Sequence, residues 1–196
     1  MIRLFVGLEL SSELKEALVI ARSGVEGARW QSDAQVHLTL AFIGEVPTGS
    51  MRQIEDALSA IEFAPFDLAL EHLDMFGTSY QPKTLWTGVA EEAPLHHLHE
   101  KILTALERID VETDRRRYKP HVTLARFPRG IHTQIEDWVT TNGIVKTPIQ
   151  RVGYFSLFSS QRSSAGPSYL VESRFGEGAP QDADFEMVER LEMETL

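Results

Sequence analysis

The chain has 196 residues, 42% of them hydrophobic, no cysteine, and a formal charge of −10. That is enough apolar material for one real core, while the absence of cysteine excludes disulfides, zinc–thiolate sites and thiol nucleophiles. The acidic surface argues against an extended nucleic-acid-binding face, and nothing reads as a signal peptide or a membrane span, so a cytoplasmic monomer is expected.

Residues 3–10, RLFVGLEL, set Leu4, Val6 and Leu8 against Phe5, Gly7 and Glu9. That alternation predicts a strand. SSELKEALVIARSG (11–24) predicts a helix, capped by Ser11 or Ser12, with Leu14, Leu18 and Ala21 as its stripe. ARWQ (28–31) suggests a short strand, and VHLTLAFIG (36–44) a strong one ended by Gly44 and Pro47. SMRQIEDALSAI (50–61) spaces Met51, Ile54, Leu58 and Ile61 as a helix does. FDLALEHLDMF (66–76) reads as one half-buried strand.

The order then restarts. TLWTGVA (84–90) predicts a strand, and PLHHLHEKILTALERI (94–109) a helix with Leu95, Leu98, Ile102, Ala105 and Leu106 on one face. KPHVTLARF (119–127) is a strand and TQIEDWVTTNG (133–143) a short helix. IQRVGYFSLFSS (149–160) and SYLVESRF (168–175) are strands parted by a loop at 163–168. Two successive β-α-β-α-β units, about 1–76 and 84–176, predict an α+β fold. The expected form is bilobal, a pseudo-twofold repeat whose antiparallel sheets line a central cleft in a single domain, 1–176. The acidic tail, 177–196, could dock a short helix through Phe185, Val188 and Leu191, or fray.

The two units share a motif. HLTLAF begins at His37 and HVTLAR at His121. In a strand, His37 and Thr39 point to one side and Leu38 and Leu40 to the other; the same holds for His121 and Thr123 against Val122 and Leu124. Each motif buries two aliphatic anchors and presents an imidazole beside a hydroxyl. Two histidines facing across a cleft suit in-line displacement at phosphorus, one as acid and one as base. Threonine hydroxyls can hold the non-bridging oxygens, and no metal or other cofactor is needed.

Phe42 and Arg126 occupy the same place after each histidine. Strict alternation turns both away from the cleft. A bulge would turn both into it, where Phe42 could stack on a base and Arg126 could hold phosphate. Arg115, Arg116, Arg117, Lys119, Arg126 and Arg129 crowd around the second motif, either as a local anion site or as a solvated charge run. The HHLH stretch looks metal-like. On a helix, however, His96 and His99 share a face that His97 does not, Leu95 and Leu98 take the core, and the histidines are expected to face solvent. His72 and His132 stand alone, as structural or surface residues.

The paired motifs, with RLFVGLEL, LW-G, YKPHVTLARF, SLFSS and YLVESRF around them, resemble the 2H phosphoesterases. Within that superfamily the chain is similar to the RNA 2′,3′-cyclic phosphodiesterase branch, also called 2′-5′ RNA ligase. The resemblance covers nearly the whole chain except the acidic tail. It implies a bilobal fold and hydrolysis of 2′,3′-cyclic phosphate, at RNA 3′ ends or on nucleosides, to a 2′-phosphate. It also implies that His37 is the general acid and His121 the general base, with Thr39 and Thr123 on the phosphate. Tyr118 and Lys119 stand where an aromatic followed by arginine or histidine is common, which marks both as substrate-binding candidates. The reverse chemistry, joining a cyclic phosphate end to a 5′-hydroxyl, would use the same site. An RNA-end binding module is a third possibility, disfavoured by the acidic balance.

Overall fold

The computed structural model describes residues 1–19, 21–114, 116–130, 132–133, 135–143, 146–163 and 166–180. Arg115 and the helix considered around Phe185 to Leu191 lie outside them. The elements run β1 (Ile2–Glu9), α1 (Ser12–Val19), β2 (Arg29–Trp30), β3 (His37–Val46), α2 (Met51–Ser59), β4 (Phe66–Leu68), β5 (Leu70–Gly77), β6 (Pro82–Val89), α3 (Ala93–Glu107), β7 (Val122–Arg126), α4 (Glu136–Asn142), β8 (Gln150–Val152), β9 (Tyr154–Ser163) and β10 (Gly166–Gly176). No helix among the described residues is long and apolar enough to cross a membrane.

The strands form one antiparallel sheet in the order β10-β9-β1-β3-β7-β6-β5, with β2 added on β7, and a separate two-stranded ladder of β4 and β8. The two motif strands, β3 and β7, are neighbours and pair at Leu38↔Val122. Strand exchange is built into this order. β5, from the first sequence unit, pairs with β6, and β9, from the second, pairs with β1. Unit boundaries in the sequence are therefore not boundaries in the sheet.

Alternation fixes which face is which. Leu4, Val6, Leu8, Leu38, Leu40, Val122 and Leu124 are buried, and they join Leu14 and Leu18 of α1, Ile54 and Leu58 of α2, and Leu95, Leu98, Ile102 and Leu106 of α3 in one core. Each such leucine contributes roughly 1.5–3 kcal/mol by leaving water. A smaller cluster of Leu85, Ala125, Phe127 and Ile135 packs with Trp30 and Trp138.

Three expected elements differ. The strand expected over 149–160 is two strands, β8 on the β4 ladder and β9 in the main sheet. The helix expected to reach residue 24 ends at Val19, where Arg22 turns back to donate to the carbonyls of Lys15 at 3.0 Å and Gln31 at 3.2 Å. The strand expected over 66–76 is two strands, because the chain changes ladder after Leu68. The irregular spacing at Leu73 has a cause. His72 takes a positive φ of 52°, which slips the β5–β6 register between Glu71 and Leu73. Its ring lies over Gly88, where a Cβ would come within 2.2 Å of it.

Gly7 lets β1 approach β3 beside the first motif. It pairs with Thr39, and a Cβ there would stand 2.8 Å from the main-chain oxygen of Leu38. Gly7→Ala is expected to cost about 2 kcal/mol, because main chain cannot swing aside. Calorimetry should find the melting temperature lowered by about 4–8 °C for a chain of this size.

Candidate active site

Both motif strands are bulged at the same place. Gly7 pairs with Thr39 and Val6 with Ala41, so Leu40 is an extra residue in β3. Trp86 pairs with Thr123 and Leu85 with Ala125, so Leu124 is the extra residue in β7. One inserted residue reverses the face of every residue after it in the strand. Phe42 and Arg126 thereby come to the histidine side. Phe42 is 47% exposed, and both residues line one cavity of about 440 Å³ with His37, Thr39, His121 and Thr123.

The two rings are held alike. Nδ1 of His37 donates to the carbonyl of Gln35 at 2.7 Å, and Nδ1 of His121 donates to the carbonyl of Lys119, also at 2.7 Å. A carbonyl on Nδ1 fixes the tautomer and leaves Nε2 as the basic nitrogen. On His37 that nitrogen accepts from the hydroxyl of Thr39 at 3.1 Å. Aromatic rings wall each imidazole. Phe5 and Tyr169 stand 4.8 and 5.0 Å from His37, and Phe76 and Trp86 stand 5.0 and 5.7 Å from His121.

Burial drives both histidines toward the neutral form. For His37 the pKa falls to about 4, with the charges of Arg126 and His121 adding to the effect of burial. For His121 burial again leads, followed by Arg126 and Lys119. No carboxylate lines the cavity among the described residues. The cavity thus carries Arg126 and Arg3 on its wall in a chain of charge −10. Among the described residues, no three His, Cys, Asp or Glu side chains gather as metal ligands.

A second cavity, of about 770 Å³, opens beside the first and shares Thr39, Phe42, His121, Thr123 and Arg126 with it. Arg116, Arg117, Lys119 and Tyr118 line it as well. Their charges are partly spoken for. Arg116 pairs with Asp114, while Lys119 lies 3.4 Å from Asp74 and 4.1 Å over the Trp86 ring. The Tyr118 hydroxyl donates to the carbonyl of Thr39 at 3.2 Å. His99 corrects an expectation. It does not face solvent but is half-buried, stacked on Tyr118 at 4.1 Å, with Nδ1 donating to the carbonyl of Leu40 at 2.7 Å. His97 is exposed. His132 lies beside Tyr80, and His72 beside Trp86.

The comparisons follow the motifs. A model of the 2′-5′ RNA ligase superfamily matches residues 12–142, which include both. The chain belongs to this superfamily. One relative, an RNA 2′,3′-cyclic phosphodiesterase of Archaeoglobus fulgidus, is 29% identical over 85% of this chain and 96% of its own length. Another of the same name, from Geobacillus stearothermophilus, is 38% identical over 64% of this chain, but the match spans only 42% of that protein. The solved structure of TT0787 from Thermus thermophilus superposes with a TM-score of 0.74 at 26% identity, over 89% of this chain and 97% of that one. The chain is thus a mixed α/β fold on an antiparallel sheet, shared with that structure.

Sequence reasoning missed Arg3, Phe5, Ser160, Pro167 and Tyr169 on the cavity wall. Phe5 offered a trace, since it alternates with the core residues of β1 and so had to lie on the other face. Tyr169 offered none, because its place depends on β10 pairing with β9, where it sits opposite Ser160.

The histidine shifts predict an acid-sensitive fold. The unfolded imidazole titrates near its ordinary 6.5 and the folded His37 at about 4. Between those values the unfolded chain binds more protons, so stability is full above pH 6.5 and falls as pH drops toward 4. At about 1.4 kcal/mol per unit, His37 accounts for about 3 kcal/mol of this loss. Imidazole NMR should place the His37 midpoint near pH 4, and urea unfolding against pH should follow the same window.

Proposed function

We propose that this chain hydrolyses the 2′,3′-cyclic phosphate at RNA 3′ ends, or on nucleosides, to a 2′-phosphate, without a metal ion. The observation that carries the reading is the duplication. Two identically pinned histidines, each followed by a threonine, line one cavity with no carboxylate among its described residues. The names of the relatives point to the same chemistry. The same reading takes residues 1–176 as one domain of two pseudo-twofold halves, meeting where β3 and β7 pair, with 177–196 as a tail.

In the step proposed, His121 takes a proton from water as the water oxygen bonds to phosphorus. The bond from phosphorus to the 3′ oxygen breaks, and His37 gives that oxygen a proton. The 2′-phosphate and a 3′-hydroxyl leave. Thr39, Thr123 and Arg126 hold the non-bridging oxygens, where negative charge collects. Phe42 stacks on the base, and Lys119 and Tyr118 border the path of the chain. In the free site His37 resists protonation more than an ordinary histidine. Serving as the acid therefore requires the substrate anion to pull its pKa back up, and burial makes that pull strong even against the charge of Arg126.

A second reading, ligation to a 5′-hydroxyl, has one observation in its favour. The second cavity meets the first at the histidine–threonine residues, which leaves room for another nucleoside across the phosphorus. Product analysis with and without a 5′-hydroxyl acceptor separates the two directions.

Turnover of a nucleoside 2′,3′-cyclic monophosphate should survive EDTA and yield the 2′ isomer. His37→Ala and His121→Ala should each lose about 10²–10⁴-fold in kcat, the range of acid–base catalysis. A cyclic substrate with sulfur at the 3′ bridging position needs no leaving-group proton. It should rescue His37→Ala but not His121→Ala, and the opposite rescue would exchange the two roles. Full activity of either alanine variant on the oxygen substrate would end the two-histidine mechanism.

A further inference from the structure

The histidines of α3 are not absorbed by chemistry at phosphorus, yet two of them reach back toward it. His99 stacks on Tyr118 at 4.1 Å with 14° between the planes, and His96 meets the same ring edge-on at 5.3 Å. From this aromatic group two donors extend to consecutive carbonyls of β3. The Tyr118 hydroxyl reaches Thr39 at 3.2 Å, and the His99 Nδ1 reaches Leu40 at 2.7 Å. Leu40 is the bulged residue.

The main chain at this point needs holding. β3 pairs with β7 at Leu38↔Val122, so neither Thr39 nor Leu40 is in register with that neighbour. Leu40 is only 1% exposed. A buried carbonyl left without a donor is costly.

The other half of the sheet solves the same problem differently. Leu124, the bulged residue of β7, offers its carbonyl to the main-chain N–H of Gln31 at 2.8 Å, just beyond β2. β2 itself pairs Arg29 with Arg126 and Trp30 with Ala125. One bulge is pinned by a strand. Its counterpart is pinned by a histidine and a tyrosine.

We propose that His99 and Tyr118 are positioning residues that clamp the β3 bulge and so hold the Thr39 hydroxyl and the Phe42 ring at the reacting phosphate. This rests on the function proposed above. The clamp works on residues either side of the bulge. Thr39 hydrogen-bonds the Nε2 of His37, and Phe42 faces the cavity because the bulge reverses alternation. Releasing Leu40 would let β3 relax toward regular pairing with β1, which turns Phe42 over and swings Thr39 off the phosphate. Small misplacements of such groups cost rate steeply.

The test compares His99→Phe, which keeps the stack and loses the donor, with His99→Asn, whose amide can donate from nearly the same point. Kinetics are run on folded protein, well below each variant's melting temperature, with a nucleoside 2′,3′-cyclic monophosphate. His99→Phe should lose about tenfold in kcat, His99→Asn should recover most of it, and Tyr118→Phe should lose a smaller factor. In a Thr39→Ala background, His99→Phe should cost less than in the wild-type chain, because only the part carried by Phe42 is left. A wild-type kcat in His99→Phe, no recovery in His99→Asn, or an undiminished loss in the Thr39→Ala background would each overturn the clamp. If His99→Phe fails to fold, Tyr118→Phe carries the same comparison. Should the wild-type chain show no turnover, the proposed function falls. The clamp then stands or falls on inorganic phosphate, whose affinity His99→Phe should weaken about tenfold and whose unchanged binding would refute it.

Discussion

A regular strand cannot place His37, Thr39 and Phe42 on one face while Leu38 and Leu40 are buried on the other, because side chains alternate with a period of two. The inserted residue at Leu40 removes that constraint, and the one at Leu124 does the same for Arg126. Around these bulges the rest is arranged. The aliphatic anchors fix the strands to the helices, the carbonyls of Gln35 and Lys119 fix the rings, and the cavity opens where the two strands part after Leu38↔Val122. Without the bulges the same residues would give a sheet with histidines on it but neither the arginine nor the phenylalanine beside them.

Charge explains why so acidic a chain can present an anion site at all. The net charge acts at the surface and is screened by salt over a Debye length of about 10 Å. Among the described residues that line the cavity, Arg3 and Arg126 are charged and no carboxylate is present. The buried imidazoles stay neutral there because burial and Arg126 both oppose a further positive charge. A bound phosphate would reverse that balance, since it supplies negative charge where water is scarce. The cavity therefore sets fixed arginines beside histidines that resist protonation.

Much of this was legible in the sequence, for a physical reason. The duplicated motif fixes residue type and spacing locally, and the leucine anchors in it report burial directly. The α3 stripe is legible because Leu95, Leu98, Ile102 and Leu106 follow the helical period and are buried, with Ala105 half-buried at its edge. What could not be read depends on pairing between distant segments. The exchange of β5 and β9 across the two units, the register that puts Tyr169 opposite Ser160, and the change of ladder after Leu68 are long-range choices with no local mark. The bulges lie between these cases. Phe42 and Arg126 in matching places raised the alternative, but alternation alone could not decide it.

His99 marks the limit of periodicity as a guide. Periodicity places it on the face shared with His96 and predicts that this face meets water. It meets Tyr118 instead, because β3 and β7 separate after one residue pair and leave room for a side chain from the third helix to enter. The two motif strands thus differ in how their bulged carbonyls are held. Leu124 is held by the main-chain N–H of Gln31, which any residue but proline would supply there. Leu40 is held by an imidazole and, through its neighbour, a phenol. Tolerance to substitution should accordingly be unequal. Both Thr39 and Thr123 are paired on one side, with Gly7 and Trp86, but only the main chain at Thr39 and Leu40 is also reached by side-chain donors, from Tyr118 and from His99 of α3.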